Sequence, residues 1–240
     1  HRPSAGGDPL TRRCADDERM TIGLAEVLPF AIGVAISPVP IIVVILMLFS
    51  SRAKVNGPMF LTGWAVALAV VSGVAFLAGD AASENTTTTT VSWSQVLFGA
   101  LFVLLAVRTW SKRATAGEQP EPPKWMAGID SFSPVKSLSL ALLLGGVNPK
   151  NLLLAASAGA AVAGLALPAG EAVVSLLVFV ILASLTIAVP VIYYLIGGDA
   201  ARTRLDTVKE WLALHNDAVM TVLFLVLGVN LISKGIPPLT

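Results

Sequence analysis

The chain has 240 residues, of which 55% are hydrophobic and 13% are charged, and its formal net charge is +1. The charged share is about half that of a soluble domain, which excludes an ordinary soluble fold, and no run of Lys or Arg is long enough to indicate a nucleic-acid partner. The single cysteine, Cys14, excludes an internal disulfide, a CxxC redox pair and a cysteine metal cluster.

The N-terminal segment 1–19 is polar and is followed by Met20. We interpret this segment as an upstream or added extension without a function of its own. Residues 20–240 then form a single membrane domain, with a first half at 20–112, a cytoplasmic linker at 113–133 and a second half at 134–240. Three prolines at 120, 122 and 123 favour an extended or flexible linker.

Six windows with few or no charges predict helices that cross the membrane, because about 20 apolar residues span its hydrocarbon core. Among the connections, Lys and Arg are concentrated in the first, third and fifth, which the positive-inside rule places in the cytoplasm. Both chain ends are therefore expected outside the cytoplasmic membrane. The windows are residues 27–51, 57–79, 85–107, 137–170, 172–198 and 218–233.

Between the last two windows, the segment 202–214 has an amphipathic pattern. Leu205, Val208, Trp211 and Leu212 recur at helical spacing among charged residues. This pattern predicts a short helix on the cytoplasmic surface, and the alternative is a plain loop.

Prolines interrupt two predicted helices at matching positions. Helix one contains Ser-Pro-Val-Pro at 37–40, and helix four contains Asn-Pro-Lys-Asn at 148–151. Proline removes a helix hydrogen bond, and the freed backbone groups are tolerated at membrane depth only beside protein or a water-filled cavity. Residues 106–112 also echo residues 228–234 at a similar offset, which indicates an inverted repeat of two three-helix halves. The alternative is a pair of structural kinks packed against neighbouring helices.

Lys150 lies near the middle of an apolar stretch, where a lysine costs about 2.5–3.5 kcal/mol on insertion scales. We interpret it as a cavity lysine that binds an anionic head group or titrates, and the alternative is snorkelling to the interface. The nearby amides could coordinate a polar ligand or simply hydrogen-bond between helices. The candidate substrate-binding or transport residues are Ser37, Pro38, Pro40, Asn148, Pro149, Lys150 and Asn151, with Asn230 and Trp64 as secondary candidates.

We expect no enzymatic activity from this chain. The sequence has no P-loop, no placement of Ser, His and Asp that predicts a nucleophile, and no metal-ligand spacing. His215 is interpreted as a solvated side chain rather than a catalytic one. No cofactor is therefore expected.

The Pro-Val-Pro motif at 38–40 and the Asn-Pro-Lys motif at 148–150 resemble those of the LysE superfamily of small six-helix exporters. The blocks at 28–49, 60–64 and 146–151 are most similar to its Sap group, the sulfolipid and peptidoglycolipid addressing (GAP-like) proteins of mycobacteria and other actinobacteria. Val39 stands where amino-acid exporters of the superfamily carry Gly, which favours the lipid-addressing group. The lack of a membrane cysteine pair excludes the superfamily's thiol–disulfide electron carriers.

The resemblance, which extends from Met20 to the C-terminus, implies a cytoplasmic-membrane protein that supports export of cell-envelope glycolipids beside lipid-synthesis and large lipid-transport proteins. Three functions stay open: a transporter or translocation component for glycolipids or lipid precursors, an exporter of amino acids or other small polar metabolites, and a non-transporting scaffold for lipid machinery. A transporter is expected to use alternating access about a midplane site. The expected partners are the lipid substrate and membrane lipids, without nucleic acid, and a homodimer is compatible with the sequence.

Overall fold

The computed structural model describes residues 9–83, 93–111, 128 and 132–236. The described chain is helical throughout, without strands. Its helices are α1 (Pro9–Ala35), α2 (Pro38–Phe49), α3 (Ala53–Ser83), α4 (Trp93–Ser111), α5 (Pro134–Leu142), α6 (Pro149–Gly164), α7 (Ala169–Gly197) and α8 (Arg202–Gly235). A π-helical turn at Leu143–Val147 joins α5 to the break before α6, and a 3₁₀ turn at Gly198–Ala201 joins α7 to α8. The all-helical prediction is confirmed.

The described helices include two stretches that are long and apolar enough to cross a membrane, Ala53–Gly79 and Ala169–Ser233. The second covers α7 and most of α8, which is far more than the roughly 20 residues of one crossing. Two bent pairs bring the number of candidate spans to four if each pair is one span. The apolar part of α4, Gly99–Ser111, is shorter, and the predicted start of that span lies outside the described residues.

Both predicted interruptions are confirmed as sharp bends. The α1 segment from Glu18 to Ala35 meets α2 at 56°, and the α5 segment with its π turn meets α6 at 64°. In each pair the second helix begins with proline, which lacks a backbone N–H and is favoured at the first position of a helix. Proline therefore ends one helix and starts the next at both places.

The predicted separate surface helix at 202–214 was wrong, because this segment forms the first turns of α8. Residues 202–227 contain neither Gly nor Pro, so nothing interrupts the helical hydrogen bonds before the predicted sixth span. At the N-terminal side, α1 begins at Pro9 and continues across Met20.

Glycines allow the main helix pairs to approach closely. A Cβ atom on Gly159 of α6 would lie 2.1 Å from the carbonyl oxygen of Ser72 on α3. On α4 and α8, Gly99 and Gly228 face each other, and a Cβ on either would lie less than 3 Å from the other's carbonyl oxygen. Glycine at these positions therefore lets the helix backbones come into direct contact. In addition, α3 packs on α5 and α6, α1 packs on α7, and α4 packs on α8.

Candidate functional site

The two helix breaks meet inside the protein. Lys150, in the first turn of α6, donates from Nζ to Oγ of Ser37 at the α1–α2 break over 3.1 Å. Both side chains are buried, with 8% of Lys150 and 4% of Ser37 exposed. The lysine therefore does not snorkel to the protein surface, and two residues that are far apart in the sequence share one buried polar contact.

The first break frees the Ser37 hydroxyl for this contact. Ser37 has extended backbone angles and stands at the N-cap of α2, where serine usually accepts a hydrogen bond from the helix. Its side chain makes no such cap here, because Pro40 at the third helical position has no N–H to donate and the hydroxyl faces Lys150 instead. Pro38 and Pro40 are both buried in the first turn of α2.

A neighbouring helix donates a hydrogen bond to the backbone carbonyl that the first break leaves without a helical partner. Thr186 on α7 donates from Oγ1 to the carbonyl oxygen of Ala35 over 2.7 Å. An unpaired carbonyl buried in protein would cost about 1–3 kcal/mol, so this bond stabilises the break. It also attaches α7 to the end of α1.

At the second break, the backbone groups without helical partners form hydrogen bonds mainly with residues of the break itself. The backbone N–H of Asn148 donates to the carbonyl of Leu143, which closes the π turn, and Asn148 Oδ1 accepts from the backbone N–H of Lys150 at 3.1 Å. Asn151 donates from Nδ2 to the carbonyl of Leu144 over 2.9 Å. Asn148 and Asn151 therefore hold the backbone that orients Lys150.

Unused hydrogen-bonding capacity remains among these buried groups. Asn151 Oδ1 and Ser184 Oγ are buried without a partner. Lys150 has three N–H donors, and the described residues give it one acceptor, Ser37, and no carboxylate within ion-pair distance. A buried ammonium without a counter-ion is electrostatically suited to an anionic ligand.

The structure separates the predicted site residues into three groups. Ser37, Lys150 and Asn151 are buried around the two breaks with Pro38 and Pro40, whereas Asn148 is half-buried and Pro149 is exposed. Their binding of substrate stays a prediction.

In the described structure neither secondary candidate is hydrogen-bonded to Ser37, Lys150 or Asn151. Trp64 is 1% exposed, packs with Phe60, and directs Nε1 at the carbonyl of Ala183 over 3.4 Å. Asn230 is half-buried on α8, and the described structure gives it no hydrogen bond to Ser37, Lys150 or Asn151. Trp64 is thus a core side chain between α3 and α7, and Asn230 is not connected to the polar cluster.

Sequence reasoning missed two hydroxyl groups on α7. Thr186 binds the first break, and Ser184 has a buried hydroxyl without a partner. Both lie in an uninterrupted apolar window, where Ser and Thr most often bond to their own helix. No spacing signal distinguishes these two from such side chains.

An apolar groove of about 440 Å³ lies between α1 and α8, directly before the first break. Pro29, Ile32 and Gly33 of α1, with Ile36 directly after it, form one wall, and residues of α8 from Trp211 to Leu227 form the other wall. A Cβ on Gly33 would lie 3.1 Å from a methyl group of Leu154 and 3.2 Å from one of Leu227. The missing side chain therefore lets α1 approach α6 and α8 closely at the base of the groove.

Comparison with known proteins gives one family. A family model described as "Sap, sulfolipid-1-addressing protein" matches residues 27–237, which covers both breaks, the buried lysine and the groove. Searches of curated proteins and of solved structures gave no significant match.

Proposed function

Because the chain belongs to the Sap, sulfolipid-1-addressing protein, family, we propose that it carries a cell-envelope glycolipid or lipid precursor across the cytoplasmic membrane, alone or as a component of a larger system. The contact between Lys150 and Ser37 is the observation that carries this proposal. It joins the two interrupted helices at one buried polar point. In secondary transporters, interrupted helices of this kind form the substrate site.

The charge at this point favours an acidic head group. A lysine at membrane depth costs about 2.5–3.5 kcal/mol, which argues for a ligand that uses the charge. Lys150 has no described counter-ion, and an anionic sulfate or phosphate of a lipid would supply one. Ser37 and Asn151 would add a hydroxyl and an amide to the same head-group site.

The adjoining groove suits the other part of a lipid. Ile36, which lines the groove, immediately precedes Ser37 in the chain. A polar point next to an apolar groove matches an amphipathic substrate. An exporter of amino acids would need no groove of this kind, so the lipid function is preferred.

The helix pairing supports an inverted repeat of two three-helix halves. In that arrangement α1–α2 corresponds to α5–α6, α3 to α7, and α4 to α8. A two-fold axis in the membrane plane would pair α3 with α5 and α7 with α1, and would bring α4 against α8, as is the case here. We propose six spans with both chain ends outside, and alternating access about Lys150.

The test is transport by purified protein in liposomes. A glycolipid with a fluorescent acyl chain is placed in the outer leaflet, and its loss from that leaflet is followed with a membrane-impermeant quencher. Lys150→Met should lose most of the activity, because it removes the charge while keeping the length of the side chain. The matched control, Lys136→Met, changes an exposed lysine at the start of α5 and should transport like the wild type.

Normal lipid transport by folded Lys150→Met would reject the site. Efflux of amino acids without any movement of lipid would reject the substrate class. The scaffold alternative depends on the linker at 113–133, which lies mostly outside the described residues. It gains support if deletion of residues 117–124 abolishes lipid export in cells and Lys150→Met does not.

A further inference from the structure

The groove between α1 and α8 presents its apolar surface to the membrane. Its α1 residues are spaced as one face of a helix, and Ile32 is 53% exposed. On the opposite wall, Val222 and Val226 are 62% and 61% exposed. Side chains that line a concave surface at membrane depth contact lipid when no protein covers them. The groove is therefore open sideways, toward the acyl chains of the surrounding lipid.

The two ends of the groove differ in polarity. Trp211 and His215 stack at one end with ring centroids 4.6 Å apart, and His215 Nδ1 lies 2.8 Å from the carbonyl oxygen of Trp211. That carbonyl is an acceptor, so Nδ1 carries the proton in the neutral ring and Nε2 is left to bind another group. Toward Val226 and Leu227 the lining is aliphatic.

The polar end lies on the charged side of the molecule. Lys209, half a turn before Trp211, places Nζ 5.5 Å from the ring centroid of Phe49 at the end of α2. The next connection carries Arg52 and Lys54. Amphipathic rings such as those of Trp211 and His215 are favoured at the level of lipid head groups.

We propose that this groove binds one acyl chain of the glycolipid before its head group reaches Lys150, with the lipid head toward Trp211 and His215 and the chain end toward Leu227. The proposal deepens the proposed function and rests on it. Its basis is complementarity, since an uncharged chain meets an uncharged wall and the polar head meets the polar end. The volume of about 440 Å³ lies within the range of small-molecule sites.

Photo-crosslinking tests where the chain lies. The full chain is reconstituted in phospholipid vesicles with a trace of synthetic glycolipid that carries a diazirine on one acyl chain, near either the head group or the terminal methyl. After illumination, labelled peptides are identified by mass spectrometry. The probe near the head should label the segment with Trp211 and His215, and the probe near the methyl should label the segment with Val226 and Leu227. The reverse order would overturn the orientation.

Two matched variants test the groove itself. Val222→Trp fills the groove at a position that is 62% exposed, and Val189→Trp makes the same change on α7 at a position that is 60% exposed. Neither change adds volume to the core, so both proteins should fold, which circular dichroism and gel filtration check. Labelling should be lost in Val222→Trp and kept in Val189→Trp. Equal labelling in both variants, or labelling spread evenly over the exposed faces of α3, α7 and α8, would overturn the proposal.

Other occupants give different results. An excess of unlabelled glycolipid should abolish labelling, whereas equally effective competition by phosphatidylglycerol would overturn the glycolipid assignment. A disulfide-linked dimer formed readily by Val222→Cys in a Cys14→Ser background would assign the groove to a second copy of the chain. Crosslinking needs no transport, so a labelled groove with normal transport by Lys150→Met would reject the transport site alone. An unlabelled groove with an inactive Lys150→Met would reject only the groove proposal.

Discussion

Thr186 on α7 donates a hydrogen bond to the carbonyl oxygen of Ala35, the last residue of α1, over 2.7 Å. The first break is therefore stabilised by another helix, whereas the second is stabilised by Asn148 and Asn151 beside it in the sequence. Displacement of α7 would thus expose an unpaired carbonyl only at the first break. The two breaks have the same cause, proline, but they depend on different neighbours.

Thr186→Val should destabilise the protein by about 1 kcal/mol, because it leaves the half-buried Ala35 carbonyl without its hydrogen-bond donor. The free energy of unfolding can be measured in detergent by denaturant titration. Thr207→Val is the control, since Thr207 is exposed and bonds only to the carbonyl of Thr203 in its own helix. Equal stability of the two variants would contradict a role of Thr186 at the break.

Ser37→Ala should destabilise the wild type by about 1.5–3 kcal/mol, because a buried ammonium loses its described acceptor. In a Lys150→Met background the same substitution should cost much less. A double-mutant cycle of unfolding free energies measures this coupling. Additive effects would show that the two side chains do not interact.

Gly159→Ala should destabilise the packing of α3 on α6 by about 1–3 kcal/mol, since the new Cβ would lie 2.1 Å from the backbone oxygen of Ser72. Gly73→Ala on α3 is the matched control, because no atom lies within 4 Å of its added Cβ. That change should leave stability unchanged or raise it slightly. Thermal unfolding of both variants in the same detergent compares them, and a stable Gly159→Ala would mean that the helices are not so close.

Asn56→Ala should loosen the start of α5. Asn56 is fully buried and donates from Nδ2 to the carbonyl of Phe132 over 2.9 Å, which attaches the chain before α5 to α3. Hydrogen exchange should therefore become faster at residues 132–137. Thr62→Val, which alters an exposed hydroxyl bonded within α3, should not change exchange there. Unchanged protection in Asn56→Ala would show that another contact holds this segment.

The proposed orientation predicts which positions an impermeant thiol reagent can reach. In a Cys14→Ser background, Ile236→Cys should react from outside intact cells, and Arg204→Cys should react only after the membrane is permeabilised. Both native side chains are exposed, so accessibility depends on the side of the membrane. Reaction of Arg204→Cys from outside would reverse the assignment.

The breaks and the buried lysine could be predicted because proline and charge are rare in apolar windows and each has a defined cost there. Their contact could not be derived from spacing, since it depends on how the two bent pairs cross. Asn230 looked equivalent to Asn151 by residue type, but only Asn151 lies beside a freed carbonyl. The segment 202–214 looked like a surface helix because its charge pattern is the same whether the helix ends or continues into the membrane.

The facing glycines of α4 and α8 also have a mechanical consequence. With Gly99 and Gly228 in backbone contact, no side chain lies between the two helices at this point, so rearrangement of a side chain could not let them separate there. We expect α4 and α8 to move as one rigid unit. The α8 side of the groove should therefore keep its position relative to α4. We therefore expect the groove to widen for a bulky chain by displacement of α1, which ends at the break beside Ser37.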